Sequence, residues 1–348
     1  MKVRAGLVAL ALLLVSCSTA SAQEPVPATT TGIWISQAEI EALPTSGPAW
    51  DALVEVALEP IENPDLSDQD DRDNVRVLAK ALYSARTGDR TFAFEVLRAL
   101  DAVRGTESGA TALAVGRELM AYVIAAEIVG LRPQKREDFE AWLRGVRDRS
   151  FQGRTIASTH EDRPNNWGTH AGATRLAVAA YLGDVAEIER AAHVFRGWAG
   201  EEDGWQGFEF GDPSWQAFGA AREYAVNPVG ARRDRYSIGG VLPDDQRRAG
   251  PFAWPPPKEN YVYEALQGAV AQAAILERLG YDSWSWGDRA IERAMRWLYV
   301  QALFPPEGDD TWIPYVVNRA YGTSFSAPLP SKPGKGIGFT DWTHTTPQ

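Results

Sequence analysis

The chain has 348 residues, 45% hydrophobic and 23% charged. These proportions permit a large buried core and exclude a disordered, collagen-like or low-complexity polypeptide. A formal net charge of −11 gives no global attraction for nucleic acid or an anionic membrane, and one Cys with four His excludes a disulfide scaffold or a thiolate-rich metal site. Thirteen Trp suit a sugar-binding cleft, since the indole face covers the apolar face of a pyranose, although cores use Trp as well.

Lys2 and Arg4, the apolar run Ala5 to Val15 and the small residues Ala20-Ser21-Ala22 have the pattern of a secretory signal, too short to span a bilayer. Residues 1–22 are therefore expected to be a signal peptide, 23–47 an N-terminal leader, and 48–348 a single domain with an insertion at about 200–260. Leu14-Val15-Ser16-Cys17 also resembles a lipoprotein cleavage box. The chain is expected in the periplasm or outside the cell, or on the outer membrane if Cys17 is lipidated. No later stretch is long and apolar enough to span a membrane.

Helical periodicity dominates the remainder of the chain. Val75, Leu78, Ala79, Leu82 and Tyr83 recur at i, i+3, i+4, i+7 and i+8, with Gly88 as a C-terminal stop and Asp89 as the next N-cap. Phe92, Phe94, Val96, Leu97 and Leu100 continue the pattern. Helices are further predicted over 111–129, 136–149, 170–182, 184–198, 261–279 and 287–303, the first of them apolar on most sides and so buried. Period-two alternation is scarce. The fold class is thus all-α, with hairpins of similar helices stacked side by side and able to close into a ring. The exception is Gly200 to Asn260, rich in Gly, Pro, Trp and Arg, where one short helix is predicted at about 214–224. An irregular stretch of that size usually forms a lid or a cleft wall. The tail from Thr323 is loop-like, and its Phe325, Ile337, Phe339 and Trp342 need packing partners.

Two polar clusters could carry chemistry. Arg163-Pro164-Asn165-Asn166-Trp167-Gly168-Thr169-His170 occupies the turn entering an Ala-rich helix. Asn165 or Asn166 could serve only as a cap, and His170 taken alone reads as a packing residue. Together, neutral amide donors beside the positive end of a helix are suited to holding a carboxylate, and His170 follows Asn166 by one turn. The second cluster is Gly239 to Arg248, followed by Lys258 to Leu266 with Tyr261 and Tyr263. Arg247 and Arg248, and Arg232-Arg233-Asp234-Arg235, would suit an anionic ligand, or else would pair with neighbouring acids. No HExxH, CxxC, EF-hand or phosphate-binding loop is present, and no GxSxG.

With these residues in view, the chain resembles the alginate lyase family of polysaccharide lyases. The likeness is carried by Leu78 to Asp89, by Arg117-Glu118-Leu119-Met120-Ala121-Tyr122, by Asn165-Asn166-Trp167-Gly168-Thr169-His170 ahead of Leu182-Gly183-Asp184, by Gly239 to Arg248, and by Tyr261 before Ala265-Leu266. In the family the Asn pair is followed at once by His; here Trp167 holds that slot, and His170 stands where the family has Trp. The resemblance implies an α/α toroid and cleavage of a uronate polymer by β-elimination without a cofactor or metal. It implies Asn166 with Arg247 or Arg248 on the substrate carboxylate, Tyr261 as acid and also as candidate base, and His170 as base or partner. Asn165, Trp167, Arg163, Tyr263, Arg117 and Tyr122 would line the substrate. The expected partner is an anionic polysaccharide, with no nucleic acid, and the expected state is a monomer. The competing readings are a non-catalytic glycan-binding envelope protein on the same scaffold, and a glycoside hydrolase using a carboxylate pair drawn from Asp203, Glu209, Asp212 and Asp245.

Overall fold

The computed structural model describes residues 32–345. The expected signal peptide, Cys17 and the stretch up to Thr31 lie outside the described residues. Fourteen helices are found among the described residues: α1 (Gln37–Ala42), α2 (Pro48–Leu58), α3 (Asp73–Thr87), α4 (Arg90–Ala102), α5 (Ala112–Val129), α6 (Pro133–Asp148), α7 (Ile156–Asp162), α8 (Asn166–Leu182), α9 (Val185–Ala199), α10 (Pro243–Gln246), α11 (Tyr261–Arg278), α12 (Trp286–Val300), α13 (Ile313–Tyr321) and α14 (Thr340–Thr343). Two-residue strands β1 (Arg232–Arg233) and β2 (Tyr236–Ser237) pair antiparallel.

Local chemistry sets the helix ends. Gly88 and Gly183 terminate α3 and α8 in the left-handed conformation. Asp89, Thr111 and Asp184 accept backbone N–H bonds at the starts of α4, α5 and α9. The resulting hairpins α3/α4, α5/α6, α8/α9 and α11/α12 form two layers. Helices α5, α8 and α11 are buried on nearly every side. Helices α4 and α6 bury a single stripe each, Val96, Ala99 and Leu100 in one and Phe139, Leu143 and Val146 in the other. A helix apolar all round must be enclosed, whereas one with a single apolar stripe faces water.

The inner helices touch through glycine. A Cβ on Gly268 of α11 would come within 2.3 Å of the Thr169 carbonyl carbon, and one on Gly116 of α5 within 3.0 Å of the Ala171 nitrogen. This approach lets Gln272 Nε2 donate to Thr169 O at 2.9 Å and Thr174 Oγ1 to Gly116 O at 2.9 Å. Helices α8 and α11 run in the same direction, because Gly268 meets Thr169 and Gln272 meets Gly172 one turn further along each. Their N-termini therefore open on the same end of the ring.

Sequence and structure part in three places. No helix covers 214–224; a single 3-10 turn spans Pro213–Trp215. Residues 33–40, expected in the leader, belong to the packed domain: Ile33, Trp34, Ile35 and Ile40 are buried, and Ser36 caps α1. Helix α8 begins at Asn166, one turn before the predicted start, so the polar cluster itself forms its first turn. The C-terminal tail packs as expected. Ile337, Phe339 and Trp342 are buried, Phe325 lies against Tyr299, and Trp342 Nε1 donates to Pro44 O at 2.8 Å. Among the described residues no helix is long and apolar enough to cross a membrane.

The glycine contacts give the first prediction. Gly268→Ala should destabilise the protein by ~1–3 kcal/mol in urea unfolding, because the methyl meets backbone that cannot yield. Gly88→Ala should cost only about 1 kcal/mol, since its φ of +77° disfavours a side chain but nothing stands within 4 Å.

Candidate functional site

The N-terminal ends of α8 and α11 meet the segment that joins α9 to α11. Asn165 caps α8, its Oδ1 accepting from Trp167 N at 3.1 Å, while its Nδ2 donates to Asp244 Oδ2 at 2.7 Å. The Asn166 backbone N–H donates to Asp245 Oδ1 at 3.1 Å. Asp244 also accepts from Gly211 N and from Arg247 Nε, each at 2.8 Å. Three residues beyond Asp245, the Arg248 guanidinium lies over the Tyr261 ring at 4.5 Å. Tyr261 opens α11 and is 41% exposed. One turn along, Glu264 pairs with Arg117 Nη2 of α5 at 2.6 Å and faces His170 Nε2 at 3.7 Å. His170 lies one turn after Asn166, which closes the circuit Asn166, Asp245, Arg248, Tyr261, Glu264, His170.

The circuit has a dry side and a wet side. His170, Glu264, Arg117 and Asn166 are all less than a tenth exposed, whereas Tyr261 and Arg248 are open to solvent. Burial lowers the pKa of His170, so its imidazole is neutral at neutral pH. At 3.7 Å its Nε2 is past hydrogen-bond length from Glu264 and has no other partner. Burial opposes ionisation of Glu264, but the Arg117 guanidinium at 2.6 Å outweighs it and the carboxyl is held at about 2. Asp245 goes the other way: burial raises its pKa well above that of a free carboxyl, against the Asn166 N–H bond. Both side-chain atoms of Asn166 are buried without a partner, as is Asp245 Oδ2. Unpaired buried amides are costly, and this one is aligned with the first turn of a helix, where backbone dipoles favour an anion.

The C-terminal segment crosses the same mouth. Arg72 at the start of α3 donates to the carbonyls of Gly334 and Pro333, Asn74 Nδ2 donates to Lys335 O, and Lys335 N donates to Gln267 Oε1. Lys335 Nζ pairs with Asp70 and Asp309, both at 3.3 Å. Gln267 Nε2 donates to Asp310 Oδ1 at 2.8 Å, leaving Oδ2 unpartnered.

The expected site residues thus separate. Asn166, His170, Arg248 and Tyr261 belong to one circuit, with Asn165, Arg247 and Arg117 bonded directly to its members or to the adjoining Asp244. Trp167 is half-buried in the same turn, and Arg163 caps α7 half-buried, its carbonyl against Gly168. Two expectations are corrected. Tyr263 is not a surface group: it is fully buried and its hydroxyl donates to Phe304 O at 2.6 Å, in the segment that follows α12. Tyr122 is fully buried on α5, its hydroxyl unpartnered, and burial raises its pKa well above that of a free phenol. Of Asp203, Glu209, Asp212 and Asp245, considered as hydrolase carboxylates, two are engaged in ion pairs, Asp203 with Arg196 and Glu209 with Arg154. Sequence reasoning misses Asp244, Glu264, Gln267 and Lys335 as parts of the site. Of these, Glu264 alone carries a signal, its spacing of three from Tyr261. Among the described residues no His, Cys, Asp and Glu cluster could hold a metal ion. Cavities elsewhere, of about 570 Å³ beside Lys80 and about 670 Å³ beside Trp50 and Trp342, contain none of the circuit residues.

The alginate lyase family model matches residues 72–206, which include Arg117, Asn166 and His170. No curated protein matches the sequence. The fold is similar to that of alginate lyase A1-III from Sphingomonas species A1, with 12% identity, a TM-score of 0.57 and coverage of 95% of this chain and 100% of that one. A histidine-to-alanine variant of alginate lyase A1-III, complexed with tetrasaccharide, gives 14% identity, a TM-score of 0.58 and the same coverage. The resemblance read from the sequence is borne out over the matched stretch, and the α/α toroid is the fold.

The buried acids yield a prediction about stability. Burial raises Asp310 from 3.8 to about 8. The folded state therefore keeps a proton that the unfolded state releases, and stability is full below the unfolded value and declines as pH rises toward 8. Asp310→Asn, which mimics the protonated acid, should lose less melting temperature than wild type between about pH 5 and about pH 8. An equal loss in both proteins would show that Asp310 ionises freely.

Proposed function

We propose that the protein cleaves a uronate-containing polysaccharide by β-elimination at the Asn166–Tyr261 circuit, outside the cytoplasm. The reading rests on one observation: a buried, partnerless asparagine amide at a helix N-terminus, in the same circuit as an exposed tyrosine stacked on arginine. β-Elimination needs the sugar carboxylate neutralised so that the C5 proton becomes acidic, a base for that proton, and an acid for the departing O4. Asn166 and Arg248 would hold the carboxylate. Tyr261, the member of the circuit open to solvent with an ionisable hydroxyl, would take the C5 proton and return one to O4. Neutral His170 would lie beneath, fixed beside Glu264 and Arg117, as the positioning partner.

This division of labour has a stereochemical consequence. One tyrosine can serve both transfers only when the C5 hydrogen and O4 project from the same face of the ring. Mannuronate and glucuronate meet that condition; guluronate, the C5 epimer of mannuronate, does not. The protein should therefore release products with ultraviolet-absorbing C4–C5 double bonds from mannuronate- or glucuronate-rich polymers and not from polyguluronate. A hydrolase would give reducing ends without that absorbance, and a binding protein would give neither.

Tyr261→Phe should lower kcat by about 10²-fold or more with an unchanged circular dichroism spectrum. Asn166→Ala should lower kcat by about 10²–10³-fold, as expected for a lost charge-stabilising donor. Near-full activity in Tyr261→Phe would remove that residue from the mechanism, and cleavage of polyguluronate would transfer the base role to His170.

A further inference from the structure

The segment joining α9 to α11 carries more arginine than the circuit uses. β1 and β2 form a tight hairpin whose turn is Asp234-Arg235, with Asp234 at a φ of +51°. Arg232 and Arg235 are exposed. In a chain of net charge −11, most exposed arginines find a carboxylate, as Arg136 does with Glu140 and Arg296 with Glu292. Those of the hairpin do not. Arg232 donates to Arg235 O, Arg233 to the carbonyls of Pro213 and Gln216, and Arg235 to the Tyr236 hydroxyl. Among the described residues none of the three forms an ion pair. Asp234 forms none either, so the hairpin keeps an excess of positive charge.

The hairpin is continuous with the circuit along two lines. Arg247 packs against Gly211 and Arg233 bonds to Pro213 O, two residues away. Asp212, between them, has its pKa lowered by hydrogen bonds from Ser214 and further by the charges of Arg247 and Arg233. The second line is aromatic. Tyr236 stacks on Trp254 at 4.4 Å and contacts Phe252, in the loop that leads from Arg248 to Tyr261, while Arg235 lies over the Tyr236 ring at 5.1 Å. Guanidinium groups beside half-buried aromatic rings are what a carboxylated sugar requires, the first for its charge and the second for its apolar face.

We propose that the β1–β2 hairpin is a distal uronate-binding subsite, extending the polymer path from Tyr261 past Arg248 and Arg247 to Arg232 and Arg235. The inference rests on the uronate-lyase reading and deepens it: the enzyme would favour long anionic chains over short ones, and that preference would weaken with salt because the arginines are exposed.

The test uses Arg232→Gln/Arg235→Gln, with Arg232→Lys/Arg235→Lys as the charge-keeping control; both leave Arg233 and its backbone bonds in place. The Gln pair should raise KM for polymannuronate by about three- to tenfold relative to KM for a mannuronate trisaccharide. It should also flatten the salt dependence of the polymer KM, while the Lys pair stays near wild type. An unchanged ratio of the two KM values in the Gln pair overturns the subsite. Retardation in gels containing polymannuronate, with dextran gels as the neutral control, reads binding apart from turnover. Retardation lost in the Gln pair supports the subsite even if no uronate polymer is cleaved, an outcome that would defeat only the lyase reading. Equal retardation of wild type and the Gln pair overturns it.

Discussion

Asp244 and Asp245 tie the irregular wall of this protein to its helical ring. Asp244 takes hydrogen bonds from Asn165 of α8, from the backbone of Gly211 and from Arg247, while Asp245 accepts the Asn166 N–H. Side chains and backbone from three separated stretches thus converge on two adjacent carboxyls. Both are buried, and burying a lone carboxylate is expensive unless it is paired or neutralised. Asp244 is paired with Arg247, and burial pushes the pKa of Asp245 toward the uncharged form. The clamp sets Arg247 and Arg248 beside the first turn of α8, and hence sets Arg248 against Tyr261.

The ring supplies the other half of the geometry. Glycine contacts bring α5, α8 and α11 close enough for side chains of one to bond the backbone of the next. Parallel packing of α8 and α11 then puts two helix N-termini at one mouth, where exposed N–H groups and helix dipoles favour negative charge. The protein as a whole is acidic, so attraction for an anionic polymer has to be local. Asn166, Arg248 and the Arg232–Arg235 hairpin concentrate it on this one end. Glu264, held ionised by Arg117, balances part of that charge under the floor.

Much of the fold is legible in the sequence because helix signals are local. Gly88, Asp89, Thr111, Gly183 and Asp184 mark ends that the structure keeps, since capping depends on a few neighbouring atoms. The start of α8 is missed by one turn because Asn165 and Asn166 suit a loop, although Asn165 is itself the cap. Of the site, Asn166, His170, Arg248 and Tyr261 are singled out by the family resemblance; residue type and spacing alone leave a cap, a packing histidine, a surface charge pair and a core aromatic equally open. Tyr263 cannot be told from Tyr261 by sequence: two residues apart on a helix, they face different ways, and only the tertiary packing says which is enclosed. Asp244, Gln267 and Lys335 stay hidden for a related reason, as their roles depend on contacts across some 70 to 260 residues of chain.

The proposed elimination at this mouth requires a uronate carboxylate lying between Asn166 and Arg248, beneath the hydroxyl-bearing edge of Tyr261. A crystal structure of Tyr261→Phe with a mannuronate oligosaccharide tests that placement directly. The predicted result is a carboxylate within hydrogen-bond reach of the Asn166 amide, with C5 and O4 of the same sugar turned toward the phenyl ring that replaces the phenol. An oligosaccharide seated instead in the outer cavity beside Trp50 and Trp342, with Asn166 untouched, would contradict it.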